Sequence, residues 1–149
     1  MVILLLLVFF IFVLFLRTTS RINKTPKKRR KKTTYSSYAK VLGEIGEESV
    51  ASILKTLPKD YVVFNDIYLE IKGKSTQIDH VVISRYGVFI IETKNYTGWI
   101  FGNDTSEYWT QTIYENKYQL RNPLKQNYAH LKTLQFIFGI EERFYFPIV

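Results

Sequence analysis

The chain has 149 residues, 46% of them hydrophobic, which is enough for one domain with its own core. It contains no cysteine, so disulfide scaffolds, thiolate zinc sites and cysteine nucleophiles are excluded. Ten of the 21 basic residues precede Val41 with no acid among them, whereas the 11 that follow share residues 41–149 with all 13 acids, so the formal charge of +8 becomes −2 for that segment.

The positive charge therefore belongs to a linker and is no argument that a folded domain binds nucleic acid. Met1 to Leu16 carries no polar side chain and is followed at once by Arg17. As a helix it spans about 24 Å, slightly under a hydrocarbon core of roughly 30 Å, and Thr18 to Ser20 can extend it. A cleaved signal peptide normally has a basic leading region and a small-residue cleavage site, and neither is present. A buried core helix shows a polar face, whereas this segment is apolar all round. The reading that remains is a transmembrane anchor at residues 1–18. The KKRRKK run at Lys27 to Lys32 lies in a basic linker, residues 19–40, and keeps the following domain on the cytoplasmic face of the membrane. The same run can attract anionic lipid or DNA.

A globular pattern starts at Val41 and runs to residue 149. Val50, Ile53, Leu54 and Leu57 recur at helical spacing before Pro58, which predicts a helix from about Glu44 to Leu57. Tyr61 to Glu70 is rich in β-branched and aromatic residues and reads as one or two strands. The turn at 72–75 leads to a strand at Gln77 to Ser84, and Arg85-Tyr86-Gly87 turns into another at Val88 to Lys94. Trp99 to Phe101 and Tyr108 to Thr112 suggest a hairpin. Asn122-Pro123 opens a helix to about Phe138, which Gly139 closes. Helix, several strands, helix implies a mixed α/β or α+β fold around a central sheet. The apolar FYFPIV at Phe144 to Val149 reads either as a short edge strand or as the start of a strand in a longer protein.

Charge inside these apolar strands is costly, yet Asp79 lies in one and Glu92 and Lys94 lie in the next. Alternation puts Glu92 and Lys94 on one face, and pairing through the turn at 85–87 brings Asp79 beside Glu92. Carboxylates about 4 to 6 Å apart repel unless a cation holds them, which points to a divalent metal on Asp79 and Glu92. Lys94 then partly neutralises the site and orients or deprotonates a metal-bound water. Glu47 precedes Val50, Leu54 and Leu57 by three, seven and ten residues, so it faces inward, toward a metal or Lys94. The competing reading is an inert buried salt bridge, with Glu47 solvated. Four residues apart on the last helix, Gln126 and His130 are either site residues or a surface polar pair. His80 faces away from Asp79 by alternation and reads as a packed histidine. Trp99, Tyr108 and Trp109 either stack bases or pack on one another.

The blocks GEIGEE, STQIDHVVIS, GVFIIETKNYTGWI and NPLKQNYAHL, in that order, closely resemble the nuclease-related domain (NERD) family, a branch of the PD-(D/E)xK nuclease-like superfamily. The resemblance covers about residues 43–149. It implies a restriction-endonuclease-like four-stranded mixed sheet flanked by helices, and DNA cleavage dependent on Mg²⁺ or Mn²⁺. It also implies that Asp79 and Glu92 are metal ligands, Lys94 the water-activating base and Glu47 the helix acid. Gln126 and His130 are similar to a Gln-x-x-x-Tyr element of exonuclease branches, with His130 replacing the tyrosine. Ile78 stands where the superfamily has a proline, and the final strand is short.

Together these features predict a membrane-anchored, metal-dependent nuclease acting on DNA, with RNA as an alternative substrate. A non-catalytic nucleic-acid or protein-binding module that keeps the fold is the second reading, and a membrane protein with a purely architectural ionic core is the third.

Overall fold

A computed structural model describes residues 34–71 and 73–149, with side chains from Tyr38 onward. The expected anchor at 1–18, and the linker as far as residue 33, lie outside the described residues. Among the described residues no helix is long and apolar enough to cross a membrane.

Helix α1, Thr34–Leu54, begins ten residues before the expected start and inside the segment read as linker. TYSSYAK carries no apolar stripe, so periodicity could not announce that part. The helix is only half-covered, with Val41, Ile45 and Ile53 exposed. Strand β1, Val62–Ile71, is continuous, although Asp66 adopts a left-handed φ of 54°. It pairs antiparallel with β2, Lys74–Ser84, which pairs antiparallel with β3, Gly87–Ile91. The turn between β2 and β3 is tight: the Ser84 hydroxyl accepts the Tyr86 amide at 3.1 Å, and Gly87 has φ 145°. A Cβ at Gly87 would lie 2.5 Å from the Phe144 carbonyl oxygen.

The terminal apolar residues form an edge strand, β7, Tyr145–Ile148, parallel to β3. The order β1-β2-β3-β7 is thus a four-stranded mixed sheet. Helix α2, Pro123–Phe138, lies against β3 and β7. Its limits agree with the caps read from sequence: Asn122 Oδ1 accepts the Leu124 amide, and Gly139 closes the helix at φ 64°. Leu131 and Leu134 of α2 join Ile67, Leu69, Ile78, Val81, Val82, Val88 and Ile90 in the core. Full burial of each such side chain contributes about 1.5–3 kcal/mol.

A second sheet lies in sequence between β3 and α2. Strands β4, Trp99–Phe101, and β5, Tyr108–Ile113, are the expected hairpin, and β6, Asn116–Arg121, adds a third antiparallel strand. NKYQLR is exposed at every position but Leu120, and Tyr118 and Leu120 alone make too short an alternation to announce β6.

Candidate active site

The β2–β3 register pairs His80 with Ile91, so its continuation sets Asp79 opposite Glu92. Both are buried, Glu92 to 2% exposure and Asp79 to 9%. Past the last β3 pair the chain stays extended, since the Glu92 amide donates to the Ile148 carbonyl of β7 at 2.9 Å. The Thr93 amide then donates to Asp79 Oδ2 at 2.8 Å, tying the two strand ends together.

Glu92 is surrounded by donors. Its Oε1 takes hydrogen bonds from Lys94 Nζ and, at 2.7 Å, from Gln126 Nε2. Its Oε2 meets His130 Nε2 at 3.1 Å, and His130 Nδ1 meets the Thr76 hydroxyl at 3.1 Å. With Glu92 ionised, His130 Nε2 carries a proton and donates to it. Burial alone pushes the Glu92 carboxyl up, but the bonds from His130 and Lys94 outweigh it and hold the group below the usual range. His130 is therefore a buried partner of Glu92 rather than half of a surface pair, and Gln126 touches the same carboxylate. The sequence signal was the spacing of both residues beside Leu124, Tyr128, Leu131 and Leu134, a set that reads as core; Leu131 and Leu134 are buried but Leu124 and Tyr128 are exposed, and the Thr76 partner left no trace in the sequence.

Asp79 and Glu47 are in a different situation. Burial pushes the Asp79 carboxyl above its usual range, the Thr93 amide only partly opposes this, and the charge of Glu92 adds to it. Burial, then the charge of Asp79, raises Glu47 as well, with Lys94 opposing. Helix α1 is drawn onto this end of the site at Gly46, where a Cβ would lie 2.7 Å from Asn95 Cβ. Asn95 Nδ2 donates to the Leu42 carbonyl at 2.8 Å, so the residue after Lys94 is fastened to the helix that carries Glu47. Glu44, one turn earlier, is exposed and pairs with Lys40.

A cleft of about 750 Å³ opens beside Glu47, lined also by Glu44, Asn65, Asp66, Gln77 and His80. His80 is packed as expected, with Nδ1 2.8 Å from Asn65 Oδ1, and burial lowers its pKa. Among the described residues no three His, Asp or Glu side chains already form a metal cage. What converges is an oxygen-rich pair, Asp79 and Glu92, with Lys94, Gln126 and Glu47 around it.

The hairpin aromatics separate into two groups. Trp109 is structural: its indole lies against Gly102, and Nε1 donates to the Asn103 carbonyl at 2.7 Å. Trp99 and Tyr108 are exposed.

The model of a family described as "Nuclease-related domain" matches residues 42–149. An uncharacterized protein of Bacillus anthracis is 45% identical over 98 residues, covering 64% of this chain and 46% of that protein. The chain thus spans about half the length of that relative. No solved structure matches the chain significantly. Because the family match takes in the four-stranded sheet, α2, the part of α1 from residue 42 onward and every residue of the Asp79–Glu92 cluster, the chain belongs to the nuclease-related domain family.

Proposed function

We propose that residues 41–149 form a divalent-metal-dependent nuclease that hydrolyses phosphodiester bonds in DNA, with Asp79, Glu92 and Lys94 at its centre. The observation that carries this reading is the convergence of Asp79 from β2, Glu92 and Lys94 from the end of β3, Gln126 from α2 and Glu47 from α1, four separate elements. An inert ion pair has no use for two further carboxylates that burial holds in an unfavourable state.

A hard cation suits this donor set. A carboxylate has about four lone-pair positions. Glu92 uses three of them on Lys94, Gln126 and His130, and Asp79 uses one on Thr93, so both retain capacity. Asp79 and Glu92 would hold Mg²⁺ or Mn²⁺, and Glu47 would face it from α1. When bound, such an ion stabilises charge on the phosphoryl oxygens and lowers the pKa of a coordinated water. Lys94 Nζ pairs with Glu92 Oε1, and in this reading it orients the attacking water or a phosphate oxygen. His130 and Gln126 fix the Glu92 carboxylate in one orientation. Incubating the full chain with DNA, with and without Mn²⁺, tests the reading. Cleavage that needs the metal and disappears in both Asp79→Asn and Lys94→Ala is expected. Mn²⁺ should still bind the lysine variant, and its failure to do so would count against a role in water activation.

We also infer that the apolar segment at 1–18 anchors the protein and that the basic run keeps the domain on the cytoplasmic side. Protease added outside intact cells should leave the domain uncut, and its digestion would reverse the orientation.

A further inference from the structure

The two faces of the β4–β5–β6 sheet differ in how far their side chains are covered. Directly opposed residues of an antiparallel ladder share a face. The register Trp99↔Thr112↔Lys117, Phe101↔Thr110↔Gln119 and Tyr108↔Arg121 therefore gathers Trp99, Phe101, Tyr108, Lys117, Gln119 and Arg121 on one side. The other side is more covered: it holds Gln111, which is buried and donates to the Thr97 carbonyl, and Trp109, which is bonded to the 102–106 loop, beside the partly exposed Ile100 and Tyr118.

On the open face Trp99 is 75% exposed, Phe101 57% and Tyr108 56%. An aromatic hairpin that served only its own packing would hide these rings. Lys117 and Arg121 are exposed too, and neither enters an ion pair among the described residues. No acidic residue shares that face of the three strands, although residues 41–149 carry a formal charge of −2. Aromatic rings flanked by exposed cations, on an otherwise acidic domain, complement a polyanion that offers flat π surfaces. An unpaired polynucleotide is such a partner. In a duplex the base faces are already stacked on one another, so rings on a flat sheet have nothing to stack against. Residues on one face of a strand repeat about every 7 Å, so Trp99 and Phe101 can each take a separate base.

The position of the sheet fits this role. Trp99 follows Lys94 by five residues, a span of at most about 18 Å even when fully extended. At the other end Arg121 precedes Asn122, whose side chain caps α2, the helix of Gln126 and His130, and donates to the Asn103, Asp104 and Ser106 carbonyls. Both ends of the small sheet are thus fastened to elements that carry the candidate active site.

We propose that the Trp99–Phe101–Tyr108 face, with Lys117 and Arg121, binds single-stranded nucleic acid and presents it to the Asp79–Glu92–Lys94 cluster. The presentation rests on the nuclease reading, whereas the binding does not. The test is fluorescence anisotropy of the full chain in detergent with a labelled oligo(dT) and with a duplex of equal length. EDTA is present throughout, so no cleavage is read. Wild type should prefer the single strand. The triple variant W99A/F101A/Y108A should lose at least ~10-fold in oligo(dT) affinity while its duplex binding, carried by the basic linker, stays unchanged. Lys117→Gln with Arg121→Gln should reduce the salt slope for oligo(dT) by roughly 1.4, two phosphate contacts at about 0.7 each. Circular dichroism and thermal melts check that the variants are folded, and Trp99→Phe alone, which keeps a ring, should retain most of the wild-type affinity. Equal binding of oligo(dT) by wild type and the folded triple variant overturns the proposal, as does the absence of any single-strand preference, which would leave the face for a protein partner. Cleavage with Mn²⁺ is scored separately. A wild type that binds oligo(dT) through these rings but never cuts DNA removes the nuclease reading and leaves the platform standing.

Discussion

On the α2 side of the candidate site, Glu92 lies among Lys94, Gln126 and His130 and is held below the usual carboxylate range. On the α1 side, Asp79 accepts a single amide, Glu47 is raised by burial and by the charge of Asp79, and both carboxyls sit above that range. The two acids nearest each other across β2 and β3 are therefore not equivalent. A carboxylate already matched by donors supports the fold whether or not a cation arrives. One that lacks compensation is where an added cation gains most, so metal affinity should be concentrated at Asp79 and fold stability at Glu92.

Glu92→Ala is expected to have the largest effect, because Lys94, Gln126 and His130 all lose their shared acceptor. Breaking a buried pair in this way costs about 3–5 kcal/mol, readable by urea denaturation in EDTA. A loss under about 1 kcal/mol would put Glu92 on the same footing as Asp79 and erase the contrast.

Next in size is the response to Mn²⁺. At a hundredfold excess over its dissociation constant the ion should stabilise wild type by about 2.7 kcal/mol and leave Asp79→Asn unmoved. In EDTA the same variant should lie within about 1 kcal/mol of wild type, because an asparagine oxygen can keep the Thr93 bond. A heavy loss without metal would make Asp79 a structural residue.

The smallest effect is in the pH dependence of the metal-free protein. Asp79 and Glu47 have folded values above their ordinary 3.8 and 4.5, so between those values and the folded ones the native state binds more protons than the unfolded chain. Stability should therefore fall as pH rises through that window. Glu92, held below 4.5, contributes stability that is full above that value and is lost as pH falls through its lower folded one. Melting temperatures taken from about pH 4 to 8 should thus decline less toward neutral pH in an Asp79→Asn, Glu47→Gln double variant than in wild type. Parallel curves would show that the α1-side acids carry no burial penalty.

Much of this contrast was open to reading along the chain, because strand alternation and the tight turn at 85–87 suffice to bring Asp79 beside Glu92 and to put Lys94 on the side of Glu92. The inward stripe of Glu47 was legible for the same reason, and so were the caps of α2, where Asn122 and Gly139 act on their own neighbours in sequence. What escaped depended on partners distant in sequence. Thr76 reaches His130 across 54 positions, and nothing local to either residue announces it. The early turns of α1 lack apolar periodicity and β6 offers only Tyr118 and Leu120, so their conformation depends on chain continuity and on pairing with β5 rather than on a buried stripe of their own.

Asn127 links elements in a way that bears on the order of folding. Its side-chain amide donates to the Ile90 carbonyl of β3 at 2.9 Å and to the Ile148 carbonyl of β7 at 2.7 Å. Those strands lie on either side of the β4–β5–β6 sheet and α2 in sequence, so bringing them together closes a long loop and is entropically late. The amide can make both bonds only when helix and both strands are in place, which makes docking of α2 and closure of β7 one event rather than two. Native-state hydrogen exchange should accordingly return a single opening free energy for the amides of β7 and the first turns of α2, and two distinct values would show that the edge strand frays on its own.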